Sequence, residues 1–188
     1  MFRYILRYGL AALIVIISTG WSPVARADDD VNDHLIEAAF IYNFTKFVEW
    51  PDGKAIGGQS NIDICVLKSW GDNFIRDTAD NFKVASTAKL ALSLVEEKNW
   101  RSAPQHCHIL FISDSEEEEG KIDEIVSGLK GQPILTVSNI DGFAEKGGII
   151  GFVITKGEKP KLVINVKAAA AAGLRIDAQL LEIALKVL

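Results

Sequence analysis

Over residues 33–50 the apolar side chains recur at intervals of three and four. Ile36, Phe40, Ile41, Phe44, Phe47 and Val48 share one face and Tyr42, Thr45 and Glu49 the other, the period of an amphipathic helix. Pro51 stops this helix, because the residue before a proline resists helical backbone angles. Residues 53–60 (GKAIGGQS) read as a flexible loop, after which the pattern changes to short apolar runs. The runs 62–67 (IDICVL) and 107–112 (CHILFI) predict buried strands; between them, 71–82 predicts a helix and 89–95 (KLALSLV) alternates like a strand. A helix over 116–129 ends at Gly131-Gln132-Pro133, and 134–137 (ILTV) returns as a strand. Strand, helix and strand at this spacing predict a βαβ unit and a mainly parallel sheet.

The last third of the chain follows a different rule. Residues 148–155 and 161–166 are joined by the turn-rich link 156–160 (KGEKP), too short for anything but an antiparallel hairpin. Residues 168–172 predict a short helix closed by Gly173, and Asp177 is placed as the N-cap of a last helix with Leu180, Leu181, Ala184, Leu185 and Leu188 on one face. The expected fold is a single α/β domain over 28–188: a mixed, mainly parallel sheet with a C-terminal antiparallel hairpin, flanked by helices.

The first 27 residues have another purpose. Arg3 and Arg7 give a basic start, residues 10–17 (LAALIVII) an apolar core, and Ala25-Arg26-Ala27 the small-x-small pattern of a signal-peptidase site, with cleavage expected between Ala27 and Asp28. The apolar run is too short for a spanning helix, which needs about 20 residues. The segment is therefore expected to be a secretory signal that is removed on export. Removal takes away three arginines and no acids, moving the formal charge from −5 to −8. So acidic a domain, with no basic stripe to neutralise phosphates, disfavours a nucleic-acid partner.

Cys65 and Cys107 are the two cysteines, and both remain after processing into an oxidising compartment. Pairing is the default reading, since neighbouring strands would bring them within bridging distance; two buried thiols on strands that are not adjacent is the alternative. A bridge closing this loop is expected to be structural, stabilising by roughly 4 kcal/mol.

Candidate chemistry is sparse. His106 and His108 flank Cys107 at strand spacing and would share a face, but two imidazoles with no third donor do not make a metal site, and nothing in the sequence brings His34 to them. The consecutive acids Glu116, Glu117, Glu118 and Glu119 point around a helix axis and cannot converge on one calcium; they suit a helix N-terminus instead. Gly147-Gly148 has no phosphate-loop context and reads as a turn, and no serine sits in a nucleophile elbow. No enzyme activity, cofactor or metal is expected.

Five segments in order, 38–51 (AAFIYNFTKFVEWP), ICVL, 107–113 (CHILFIS), 134–153 (ILTVSNIDGFAEKGGIIGFV) and 162–181 (LVINVKAAAAAGLRIDAQLL), resemble the YfiR family of bacterial periplasmic proteins, across nearly the whole mature chain. The resemblance implies an α/β domain, often a homodimer, that binds the periplasmic domain of an inner-membrane diguanylate cyclase and holds it inactive. It also implies an outer-membrane, peptidoglycan-binding lipoprotein that sequesters the repressor, coupling envelope state to cyclic di-GMP. Relatives can carry a further cysteine pair around residues 137–144, and this chain has none there.

A contact surface is expected on the hairpin, where Ile150, Ile154, Val163 and Ile164 alternate, so that one face packs on the sheet and the other needs a cover. Partner contacts are accordingly expected at Phe143, Ile150, Phe152, Ile154, Val163 and Gln179. The competing reading is that the last helix supplies the cover through Leu181 and Leu185. Trp50 and Trp70 serve equally well as interface anchors or as core. The alternative function is a periplasmic module that senses a small molecule in a pocket beside the sheet.

Overall fold

The computed structural model describes residues 27–51, 60–67, 71–85, 90–97, 99–113, 120–155 and 158–188. The signal segment up to Arg26, most of the 53–60 loop, Trp70 and the four consecutive glutamates lie outside the described residues.

Helix α1 (Ala27–Phe47) is followed by β1 (Val48–Glu49), β2 (Ser60–Leu67), α2 (Gly71–Ala85), β3 (Leu90–Glu97) and β4 (Ile109–Ile112). Next come α3 (Ile122–Leu129), β5 (Leu135–Ser138), β6 (Ile150–Val153), β7 (Lys161–Ile164), α4 (Val166–Ala171), β8 (Arg175–Ile176), α5 (Ala178–Glu182) and β9 (Lys186–Val187). The main sheet has the order β3-β2-β4-β5-β6-β7-β9. Its first five strands are mutually parallel; β7 turns back antiparallel to β6, and β9 runs parallel to β7. The α/β architecture with its hairpin is the one the hydrophobic pattern predicts.

The central strands are buried on both faces, which is why they read as continuous apolar runs. Ile62, Ile64, Val66, Ile109, Phe111, Leu135 and Val137 face a core shared with α1 and α2, to which Phe44 and Phe74 contribute fully buried rings. Cys65, Leu67, Leu110 and Ile112 face the opposite core, closed by Ile122, Ile125 and Leu129 of α3 and by Phe143. Strand order reverses between β2 and β4, so right-handed crossovers put α2 and α3 on opposite sides of the sheet.

Two element boundaries differ from those the pattern predicts. The first helix ends at Phe47 rather than near Trp50 because Phe47 O accepts from Asp177 N (2.8 Å), and Val48 and Glu49 then pair antiparallel with Ile176 and Arg175. The last helix covers only Ala178–Glu182. Asp177 caps it as expected, accepting from Gln179 N at 2.8 Å, but Leu185 N and Leu188 N donate to Leu162 O and Ile164 O (both 2.8 Å) and convert the following residues into β9. Strand β7 offered an open edge, and its carbonyls compete successfully with the helix. Smaller shifts put the third helix at Ile122–Leu129 and the helix after the hairpin at Val166–Ala171, capped by Asn165, with Gly173 at φ 72° just beyond it.

Candidate functional site

The hairpin is covered on both faces. Phe152, on the side of α1, meets the rings of Phe40 (5.7 Å between centroids) and Phe44 (6.2 Å). On the other side, the loop 141–147 folds Phe143 against the backbone of Gly148 and Gly151. Phe143, Ile150, Phe152 and Val163 are consequently buried, each at 5% exposure or less, and no partner reaches them on the folded surface. Of the six residues expected to make contact, Ile154 and Gln179 are exposed. The cover comes from α1 and the loop 141–147, with Leu181 packed against the α1-side core, while Leu185 is 57% exposed.

The surface the structure offers instead is the outer edge of the sheet. Ile183, Leu185 and Val187 are the most exposed large apolar side chains among the described residues, and Ile154 is the next. Leu185 bonds through its backbone to Leu162, while Val187 is in register with Ile164; Ile154 follows Val153, whose partner on β7 is Lys161. Leu185 and Val187 thus lie along the outer strand, Ile154 lies across β7 on the β6 side, and among the described residues no strand lies beyond β9. Gln179 is on α5, which leads directly into this edge. A helical reading of 177–188 conceals this surface; the alternation of Leu185, Lys186 and Val187 is the only local signal for it.

Strand β9 is tied down by charge. Lys186 Nζ donates to Glu145 Oε1 at 3.0 Å, and this hydrogen bond holds the Glu145 carboxyl below the ordinary carboxylate range. Arg175 and Glu49 pair between β8 and β1.

Cys65 and Cys107 form a disulfide, with Cα atoms 5.8 Å apart. The neighbouring histidines do not share a strand face: His106 closes the short 3-10 turn Ala103–Gln105 and is exposed, whereas His108 is half-buried. His108 Nδ1 accepts from Asp63 N at 3.1 Å, and its carbonyl accepts from Trp50 Nε1 at 3.2 Å. Trp50, 2% exposed, is therefore core. Cys65, Cys107 and His106 bring ligand-type atoms within 4.8 Å of one another, but the sulfurs are bonded to each other and neither is the thiolate that binds metal. His34 lies elsewhere, with Nδ1 3.2 Å from Asp77 Oδ2. No helix among the described residues is long and apolar enough to cross a membrane.

Comparison with known proteins adds the family. No curated protein sequence matches the chain. Among solved structures, it is similar to a conserved domain protein from Vibrio cholerae O1 biovar eltor, with a TM-score of 0.58 and 12% identity over 82% of this chain and 60% of that one. It is also similar to an ABC domain from Streptococcus pneumoniae solved in complex with L-Trp, with a TM-score of 0.50 and 18% identity over 68% of this chain and 55% of that one. The chain thus spans less than two thirds of either structure, and at these identities the likeness is one of fold. The YfiR/HmsC-like family model matches residues 34–185, from the first turns of α1 almost to β9. The chain belongs to the YfiR/HmsC-like family, a family of periplasmic regulators of cyclic di-GMP signalling.

Proposed function

We propose that this protein docks on the periplasmic domain of an inner-membrane diguanylate cyclase and holds the enzyme inactive, making and breaking no bond itself. The observation that carries this reading is the apolar sheet edge of Leu185 and Val187 in a member of this family. Exposed apolar side chains around an edge strand suit a contact surface, where an apolar centre is buried and a polar rim sets the register. Gln179 on α5 and Lys186 on β9 are exposed polar side chains suited to such a rim.

Inhibition follows from differential affinity: docking on the inactive state alone shifts the cyclase population by the ratio of the two affinities. An outer-membrane, peptidoglycan-binding lipoprotein that competes for the regulator releases the cyclase. The signal segment delivers the mature domain, residues 28–188, to the compartment where both partners are reached.

The test is site-directed photo-cross-linking in the native envelope, with the photoreactive residue at position 185 or 187 and, as a control, at Lys83 on α2. Capture of a cyclase from 185 and 187 but not from 83, together with a rise in cyclic di-GMP for Leu185→Asp, is the expected result. Efficient cross-linking that never yields a cyclase sinks the docking reading.

A further inference from the structure

On the side of the sheet away from α1, three elements enclose a cleft of about 460 Å³ that the docking surface does not use. Its rim carries Lys130, at the end of α3, Lys146, in the loop 141–147, and Lys167, in the first turn of α4. No carboxylate lines it, and none of the three lysines forms an ion pair among the described residues. Val126, Ala168 and Ala171 form apolar walls. Thr136 lies at the floor; its hydroxyl accepts from Ile149 N (3.0 Å), and its own proton is not donated to any acceptor among the described residues.

We infer that this cleft binds a small organic anion with an apolar body, the anionic head among Lys130, Lys146 and Lys167 and the body against Val126 and Ala171. Three cationic residues on the rim of one concavity raise its potential by more than any of them does alone, in a chain whose formal charge is −5. The size matches ordinary small-molecule sites, which are mostly apolar with a few polar groups that fix orientation. The rim is also pre-organised. Asn165 donates to Ala144 O (2.9 Å) and accepts from Ala168 N (2.9 Å), which fixes the loop carrying Lys146 to the helix carrying Lys167. A phosphate, sulfonate or carboxylate head satisfies the site, whether it belongs to a free solute or to a lipid.

The test uses two fluorescent naphthalenes that differ chiefly in charge, the sulfonate 1-anilinonaphthalene-8-sulfonate and the neutral N-phenyl-1-naphthylamine, titrated into the mature protein. The sulfonate is expected to bind one to one, and Lys130→Gln/Lys146→Gln/Lys167→Gln to weaken it by about tenfold, as three modest ion pairs add, while the neutral dye is unaffected. Ala171→Phe, which fills the cleft without touching charge, is expected to weaken both dyes and keeps the test decisive if the triple variant misfolds. Equal sulfonate affinity in wild type and triple variant, or indifference to Ala171→Phe, overturns the assignment. Displacement of the sulfonate by phenyl phosphate without binding to phosphatidylglycerol vesicles identifies a free solute. Vesicle binding lost in the triple variant, with phosphatidylcholine inert, identifies a lipid headgroup. Neither displacement nor vesicle binding overturns the ligand class.

Discussion

Gly148 lies so close to Phe143 that a Cβ at position 148 would overlap the phenylalanine ring. Phe143 is fully buried, so the ring has nowhere to retreat. Gly148→Ala is expected to destabilise by about 1–3 kcal/mol, the range for overpacking a filled core. Adding Phe143→Leu to Gly148→Ala is expected to cost less than the two single changes summed, because the smaller side chain relieves the overlap. Urea denaturation of the four proteins checks this, and strict additivity would refute the contact.

The disulfide joins β2 to the segment before β4 across 42 residues. A loop of that length limits the unfolded chain enough to stabilise the fold by about 4 kcal/mol. Cys65→Ala/Cys107→Ala is expected to lose about this amount, and reducing agent is expected to leave the double variant unchanged while destabilising the wild type. Denaturation with and without dithiothreitol separates the cases.

Glu37 is 1% exposed, and its Oε1 accepts from Asn139 Nδ2 at 3.0 Å. This bond joins α1 to the residue after β5. Removing a hydrogen-bond donor from a buried carboxyl oxygen is expensive, and Asn139→Ala is expected to cost about 1–3 kcal/mol. Glu37→Leu in the Asn139→Ala background removes the carboxyl left without that donor and is expected to recover part of the loss. Thermal unfolding of the single and double variants measures this.

The Lys186–Glu145 pair predicts a pH dependence. Its folded-state carboxyl is held below the ordinary value, so the stabilisation is present above the unfolded-state value and is lost as pH falls through the folded one. Both side chains are well exposed, 52% and 42%, which limits the contribution to a few tenths of a kcal/mol, roughly the usual surface pair. Glu145→Gln is expected to flatten the acid limb of the stability profile by that amount, and added salt to mask the difference. Identical acid limbs in wild type and variant would contradict it.

Taken by itself, the amino-acid sequence determined the α/β class, the faces of the central strands and the antiparallel hairpin. These follow from side-chain periodicity, which is local: Ile64, Cys65 and Val66 alternate between the two cores because successive strand residues point to opposite faces. It also put Cys65 and Cys107 on runs that the sheet brings together. The tertiary structure alone decided what lies beyond those runs. Leu185 and Val187 have helical spacing from Leu181 and Leu180, yet the unpaired edge of β7 claims their backbone and turns the side chains outward. Ile150, Phe152 and Val163 have the alternation of a half-covered hairpin, yet α1 covers one face and the loop 141–147, through Phe143, the other. Periodicity states which side chains share a face; it does not say which distant segment offers the backbone partner or the cover, and here those long-range choices separate the buried hairpin from the exposed edge.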